Sequence, residues 1–379
     1  MFSNNIEIVG ARALEETRRV VAICNACRYC EGFCAVFPAM ESQREPAPAD
    51  FDHLANLCHN CAACYHACQY APPHEFSLNV PRALAELRAV TYEKYAWPAP
   101  FARLFHRNGL FVSIVAAFSI ASVLLLTFVL QNPEVLLAEH KGPGAFYKVI
   151  PHDVIVAVAG SVFLYSILAM AVGFIKCWRA GSYKLSDAAR PIVLFSAIKN
   201  VATLKYLGGG HGDGCNTKDD SFSNQRRVYH QLMMWGFILC FAATSVAATY
   251  EYAFGWNAPY PFFSVPVLLG TVGGAGLLVG PAGLVWIKLQ TDPRPMLTQQ
   301  FGMDYAFLAL LFFISLTGFL LLGLRTTSAM GVLLALHLGF VLALFFVLPY
   351  SKFVHAIYRF AALMRLGLEE RLKSGSSLS

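Results

Sequence analysis

Charge is what this chain has least of. Only 14% of its 379 residues are Asp, Glu, Lys or Arg, against 56% hydrophobic ones, whereas a soluble globular domain carries roughly a quarter charged residues. That shortage excludes an ordinary soluble enzyme and requires much of the chain to sit in a lipid bilayer. Nucleotide-binding fingerprints are missing as well. No Gly-x-Gly-x-x-Gly opens a strand–helix unit, so no nicotinamide or flavin fold is expected and no site for oxidising an organic substrate is evident. No nucleic-acid partner is expected either. Residues Met1 to Asn5 lack the basic segment of a secretory signal, and the first long apolar run begins only at Leu110. The leading part of the chain is therefore expected to stay in the cytoplasm, where thiols remain reduced.

The apolar residues gather into six runs: Leu110–Leu130, Asp153–Ile175, Gln231–Tyr250, Ser264–Ile287, Asp304–Leu324 and Val332–Leu348. Each approaches the roughly 20 residues that cross about 30 Å of hydrocarbon. Pro349 follows the last run, and because membrane helices tolerate proline, the sixth helix is expected to continue, kinked, to about Arg365. Lys and Arg set the orientation. With the N-terminal part inside, segments 176–227, 288–303 and the tail from Tyr350 carry nine, two and five of them, whereas 131–152, 251–263 and 325–331 carry two, none and one. The excess marks the inner side, so both termini are expected in the cytoplasm of a bacterial-type inner membrane. Trp178, Trp256 and Trp286 near run ends fit an interfacial aromatic belt.

Cysteine is concentrated where apolar runs are absent. Eight of the eleven fall in two runs with the same spacing, Cys24, Cys27, Cys30, Cys34 and Cys58, Cys61, Cys64, Cys68. Three closely spaced thiolates suit one [4Fe–4S] cubane, and in two-cluster ferredoxins the fourth cysteine of each run reaches across to the other cluster. The expected ligand sets are Cys24, Cys27, Cys30 and Cys68 for one cluster and Cys58, Cys61, Cys64 and Cys34 for the other. Zinc would more often use separated Cys-x-x-Cys pairs. The usual proline directly after the fourth cysteine is replaced by Ala35 and Gln69, with Pro38 and Pro72 displaced. The flanks read as helices: Ala11–Cys24, a segment capped by Asp50 or Asp52 that leads to Cys58, and one opened by Pro81 that runs through Ala96. His53, His59 and His66 lie among the cysteines and are read as surface residues or supports rather than ligands.

Four histidines stand at the ends of the apolar runs: His152, His230, His337 and His355. Ionisable residues in or near spanning helices are functional candidates. His230 and His355 fall on the inner side, His152 and His337 on the outer. The last two on the chain, His337 and His355, are 18 residues apart, which on one continuous helix is five turns and about 27 Å along a common face. One helix would then offer an axial ligand to haem b at each end, giving one or two haems with two imidazoles each. The alternative is a set of interfacial histidines bonded to headgroups and loops. Arg226 and Arg227, just before His230, could pair with haem propionates. His106 and His140 read as loop residues. The glycine-rich segment Gly208–Cys215 would serve as a linker, a docking loop or a cover for a quinone site; Cys177 and Cys240 read as small apolar residues. The glycines at 270, 273, 274, 276 and 280 predict close helix packing.

The expected fold is all-α: a helical two-cluster ferredoxin domain (1–108), a six-helix transmembrane bundle (109–365) with a cytoplasmic loop at 176–227, and a tail (366–379). The double cysteine run, the six helices, the segments Pro151-His152-Asp153 and Arg226-Arg227-Val228-Tyr229-His230, and the His337/His355 pair together resemble the tricarballylate-utilisation B proteins, also described as citrate-utilisation B proteins, over nearly the whole chain. The membrane part is also similar to the haem-b subunit of respiratory nitrate reductase. The resemblance implies an electron-transfer protein that takes electrons from a separate FAD-dependent tricarballylate dehydrogenase, the enzyme forming cis-aconitate, and passes them to the membrane quinone pool. From the residues alone, a subunit of another reductase of heterodisulfide or nitrate type, or a transporter or sensor with a metal-binding domain, stays open.

Overall fold

The helical propensity of the first hundred residues is realised as five helices separated by the loops that carry most of the cysteines. A computed structural model describes residues 2–43, 45–209 and 212–376. Helix α1 (Phe2–Cys27) delivers the first cysteines, followed by α2 (Val36–Glu41) and α3 (Pro48–Leu57). Proline opens the first turn of α3, and the Asp50 carboxylate reaches back to accept from the Ala47 N–H at 2.7 Å. Asp52, the other expected cap, instead lies inside α3. It is buried there and accepts from the Tyr95 hydroxyl at 2.6 Å and the Lys94 ammonium at 2.7 Å. One turn, α4 (Ala63–His66), precedes α5 (Val80–Tyr95), whose cap Asn79 accepts from the Arg82 N–H at 3.2 Å.

Beyond a 3-10 segment (Ala99–Phe105) comes α6 (Asn108–Leu130), then the short α7 (Pro133–Leu137) and α8 (Ala145–Val149), then α9 (His152–Ala180). Two further helices, α10 (Leu185–Ala188) and α11 (Pro191–Ala202), lead to α12 (Gln225–Phe254), α13 (Val265–Gln290), α14 (Phe301–Leu324) and α15 (Met330–Val347). Six of these, α6, α9, α12, α13, α14 and α15, are long and apolar enough to cross a membrane. Their outward faces leave Phe118, Leu125, Leu164, Val272 and Trp286 exposed, a contiguous apolar surface that fits association with a bilayer. Trp256 and Trp286 are exposed as a belt requires, but Trp178 is not. It is 3% exposed and donates its indole N–H to the Lys184 carbonyl at 2.9 Å.

The glycine face of α13 does what its spacing predicts. A Cβ at Gly276 would stand 2.6 Å from the Leu232 carbonyl oxygen, and one at Gly280 would stand 2.6 Å from the Met233 nitrogen. Only glycine lets α12 and α13 approach this closely, and the contact brackets His230.

The sixth run does not continue as one kinked helix. α15 ends at Val347, a 3-10 turn spans Leu348–Tyr350, Ser351 is extended, and a separate α16 (Val354–Ser376) begins beyond it. Pro349 supplies the reason, since it has no N–H to return to the preceding turn. The Tyr350 carbonyl freed by the break accepts from the Asn108 amide at 2.5 Å. α16 then folds back on the N-terminal helices. Ala361, Leu363, Met364, Leu366 and Leu368 share one core with Val20, Val21, Phe51, Leu54 and Leu84, and each large apolar side chain buried there contributes roughly 1.5–3 kcal/mol. No break falls at Arg365, which bonds Asp50 and, at 2.7 Å, Glu369. The only strands among the described residues are β1 (Cys215–Asn216) and β2 (Phe222–Ser223), paired antiparallel with Cys215 opposite Ser223. Of the glycine-rich segment, Gly210 and His211 lie outside the described residues.

Candidate functional site

Each cysteine run is bent by a residue in the left-handed region directly after its second cysteine, Arg28 at φ 56° and Ala62 at φ 61°. Non-glycine residues adopt that conformation at a cost of roughly 1–2 kcal/mol, and here the reversal lets thiols three apart converge. The runs then exchange their last members. Cys24 lies within electrostatic reach of Cys30, Cys68 and Cys27. Cys34 faces Cys61 and Cys58, and Cys64 faces Cys61, Cys34 and Cys58. Cys24, Cys27 and Cys30 line an open cleft together with Cys64, Cys68 and the half-exposed backbone about Arg28 and Tyr29. The other group is deeper, with Cys58 buried.

Burial first, and then the neighbouring thiols, push Cys24 and Cys30 up to about 12; burial followed by Cys61 raises Cys34 and Cys64. Eight thiols held this way would repel one another as thiolates. Backbone donors are nonetheless turned towards sulfur: the Asn60 N–H reaches Cys58 Sγ at 3.4 Å, and the N–H groups of Val36 and Phe37, opening α2, face Cys34. All eleven cysteines are free, and among the described residues no three His, Cys, Asp or Glu side chains close on one point as a single-ion site would require.

The three histidines among the cysteines have separate surroundings. His59 Nδ1 lies 3.0 Å from the Leu57 carbonyl, and the His66 side chain is 8% exposed with Nδ1 3.3 Å from Asp220. His53 lines a cavity between α3, α9 and α16. Burial places them beneath the surface, not on it.

In the membrane half, His230 on α12 and His355 on α16 come together with ring centroids 6.2 Å apart and planes at 87°. His355 Nδ1 faces the Lys352 carbonyl at 2.5 Å, and His230 Nδ1 is buried without a hydrogen-bond partner. Burial, then the Arg359 and Lys352 charges, hold His355 well below the usual imidazole range, so its ring is neutral. His152 and His337 are not brought together. His152 packs edge-on against Tyr147 and Tyr252, whereas His337 turns to α14, its Nδ1 3.1 Å from both the Thr317 hydroxyl and the Ile314 carbonyl. The break at Pro349 also removes the common helix on which His337 and His355 were to share a face.

Arg226 and Arg227 are both engaged by backbone carbonyls. Arg226 donates to the carbonyls of Asn60 at 2.6 Å and His59 at 3.2 Å, and Arg227 donates to that of Thr203 at 2.9 Å. Two arginines that the sequence reading passed over complete the junction. Arg359 donates to the Cys58 carbonyl at 2.8 Å and the Asn56 carbonyl at 3.3 Å, and Arg88 meets the same Cys58 carbonyl at 2.7 Å. Arg359 stands four residues after His355, one turn along the same face, a spacing visible in the sequence. The segment carrying Cys58 is thus tied to α12 beside His230 and to α16 beside His355.

A family model described as "Citrate utilization protein B" matches residues 105–376, and a second, "Citrate utilization protein B Fer4-like domain", matches residues 17–94. The chain belongs to the citrate utilization protein B family. Citrate utilization protein B of Escherichia coli is 51% identical over 94% of this chain and 92% of its own length. No solved structure matches. The expected all-helical organisation therefore holds, with a Fer4-like domain ahead of six spanning-length helices. Both cysteine runs fall within the Fer4-like match of this family and all four histidines within the larger one.

Two more features join the halves of this family member. Cys215, fully buried in β1, donates its thiol to the Leu207 carbonyl at 3.2 Å, and the Asn216 N–H donates to the Cys61 carbonyl at 3.1 Å. The glycine-rich loop therefore docks on the second cysteine run. On the other flank of His355, Asp304 of α14 sits between Lys288 of α13 at 2.5 Å and Lys352, in the turn before α16, at 2.8 Å.

Proposed function

We propose that this chain is a citrate- or tricarballylate-utilisation electron carrier of a bacterial inner membrane, with both termini cytoplasmic. It takes electrons from a separate FAD-dependent tricarballylate dehydrogenase and delivers them to membrane quinone by way of two [4Fe–4S] clusters and haem b. The observation that carries the reading is the junction just described: Arg226 and Arg359 bind the Cys58–Asn60 backbone to the two helices that present His230 and His355.

The donor sets fit the groups invoked. Four thiols, with backbone N–H groups turned to sulfur, are the complement of a cubane, and Cys24, Cys27, Cys30, Cys68 and Cys58, Cys61, Cys64, Cys34 would hold one each. Two imidazoles sharing one metal at bonds of about 2 Å have centroids roughly 6 Å apart, the separation found for His230 and His355. His230 and His355 would hold haem b, and these groups would supply one-electron steps. The chain's own residues do the rest. Lys352 fixes the His355 tautomer through its carbonyl, and α13 glycines hold the His230 turn. The cleft at Arg28 and Tyr29 gives the first cysteine set the outward position, so the partner docks there and the second set faces the membrane.

Reconstitution tests the proposal. Membranes holding this chain and the flavoprotein should reduce added quinone when given tricarballylate, and omission of either protein should stop it. Quinone reduction by the flavoprotein alone at the same rate would refute the relay. Success only with the dehydrogenase of another substrate would refute the tricarballylate assignment and leave the electron carrier standing.

A further inference from the structure

Helix α11 is packed on one side only. Val193 and Ala197 are buried in the core it shares with α16, whereas Ile192, Phe195 and Ile198, spaced three apart, and Leu194 beside them are exposed, Phe195 by 68%. A contiguous apolar patch of this kind marks a surface that something covers. The end of the helix fixes its depth. The Ala202 carbonyl accepts from the Gln231 amide at 3.4 Å and the Thr203 carbonyl from Arg227 at 2.9 Å, and Gln231 opens the apolar run of α12. α11 therefore ends at the level where a helix of spanning length enters its apolar stretch. Beside that contact the outward stripe of α12 starts with Val228, Leu232 and Trp235, all exposed, so the apolar face of α11 adjoins a surface already fitted to a bilayer. Charge points the same way. Residues 181–208 carry Lys184, Arg190, Lys199 and Lys205 against Asp187 alone. Asp187 is taken by Arg190 at 2.8 Å, and Lys184, Lys199 and Lys205 are exposed.

We propose that α11 is an in-plane helix of the inner leaflet that seats on anionic phospholipid, its Ile192–Ile198 face among the acyl chains and Lys184, Lys199 and Lys205 at the head groups. The inference takes from the reading above only that α12 spans a bilayer with this end inside; it needs neither clusters nor haem nor a partner enzyme. Helices with Phe, Leu and Ile on one face and Lys at its edge lie in the plane of the interface, and lysines next to a spanning helix are drawn to the negative inner leaflet. The opposite face of α11 is packed on α16, so the helix is a wedge between protein and lipid. What the lipid steadies follows from the two bonds at its end. The carbonyls of Ala202 and Thr203 hold Gln231 and Arg227, which bracket His230, and lipid seated under α11 therefore bears on the turn that presents this imidazole.

The test uses full-length Phe195→Trp in phosphatidylcholine bilayers doped with brominated phosphatidylcholine or brominated phosphatidylglycerol, with the wild type as background. The fluorescence that the substitution adds should be quenched by both brominated lipids and shielded from acrylamide in the water. Brominated phosphatidylglycerol should act at a mole fraction lower by about fivefold or more, the effect of one lysine at a charged surface. Changing Lys184, Lys199 and Lys205 to Gln in the same protein should remove that preference and keep the quenching. Added fluorescence open to acrylamide puts the face in water, and fluorescence shielded from acrylamide yet untouched by either lipid puts it against protein, a second copy or a docked partner; each result overturns the in-plane helix. Equal quenching by the two lipids overturns the anionic head group. Ile198→Trp gives the same readings from the next turn if Phe195→Trp does not assemble, and none of them depends on whether the chain reduces quinone.

Discussion

Replacing Arg359 by methionine separates what the guanidinium does for stability from what it does for communication. Two hydrogen bonds are lost, one of 2.8 Å to the Cys58 carbonyl and one of 3.3 Å to the Asn56 carbonyl. Bonds from a charged donor contribute about 1.5–3 kcal/mol when short and less when long, so the pair accounts for roughly 2–4 kcal/mol. Against this stands the charge itself. Burial, then the nearby Arg88, lower Arg359 from its ordinary value to about 10, and at about 1.4 kcal/mol per unit this is roughly 3 kcal/mol of penalty on the charged form. Methionine fills the space without either contribution, and Arg88 still satisfies the Cys58 carbonyl. The net change in stability should therefore lie within about 1 kcal/mol of zero. Electron delivery should not be so forgiving, because the segment that follows α3 is no longer tied to the helix of His355. The assay is rapid mixing with the flavoprotein and its substrate, following bleaching of the clusters and growth of the reduced haem band separately. Cluster bleaching should be unchanged and haem reduction slowed. Equal rates for the two proteins would refute the role of the junction; loss of more than about 3 kcal/mol of stability would refute the balance of terms.

Three further outcomes are expected. Cys34→Ser should disturb the electron paramagnetic resonance of the inner cluster and Cys68→Ser that of the outer one, with non-haem iron and sulfide near eight each in the intact chain, four per cubane. His355→Ala should abolish the low-spin haem absorption while His337→Ala preserves it, since His337 is occupied by α14; the reverse result would move the haem to the other end of α15. Asp304→Asn would leave Lys288 and Lys352 facing a neutral amide, and breaking a buried charge group of this kind should lower stability by about 3–5 kcal/mol, seen as an earlier thermal midpoint in the same detergent.

Features fixed by local spacing were legible in the sequence. Six apolar runs became six helices long and apolar enough to cross a membrane, the repeat of Cys-x2-Cys-x2-Cys-x3-Cys narrows its own chemistry, and the α13 glycines announce close packing. Pairings over long distances were not. His337 and His355 looked equivalent by helical periodicity, but periodicity assumes a continuous helix and Pro349 ends it. Trp178 sits where a belt residue should, and only the fold-back of α16 buries it. Arg226 could be picked out as a cation beside His230, but that its partners are backbone carbonyls of residues 59 and 60 depends on how the domains meet. Cys215 had no signal at all, because nothing in a glycine-rich loop says which surface it will cover.

The fold-back of α16 also dictates an order of biogenesis. Residues 361–368 complete the core around α1, α3 and α5, although they are made last and those helices first. Domains ordinarily fold as they leave the ribosome, but this one must wait with part of its apolar surface uncovered until the six long apolar helices between α5 and α16 have been made. The core of the cysteine domain is closed only when α16 has been made, so a chain truncated before residue 361 would leave the apolar faces of α1, α3 and α5 uncovered.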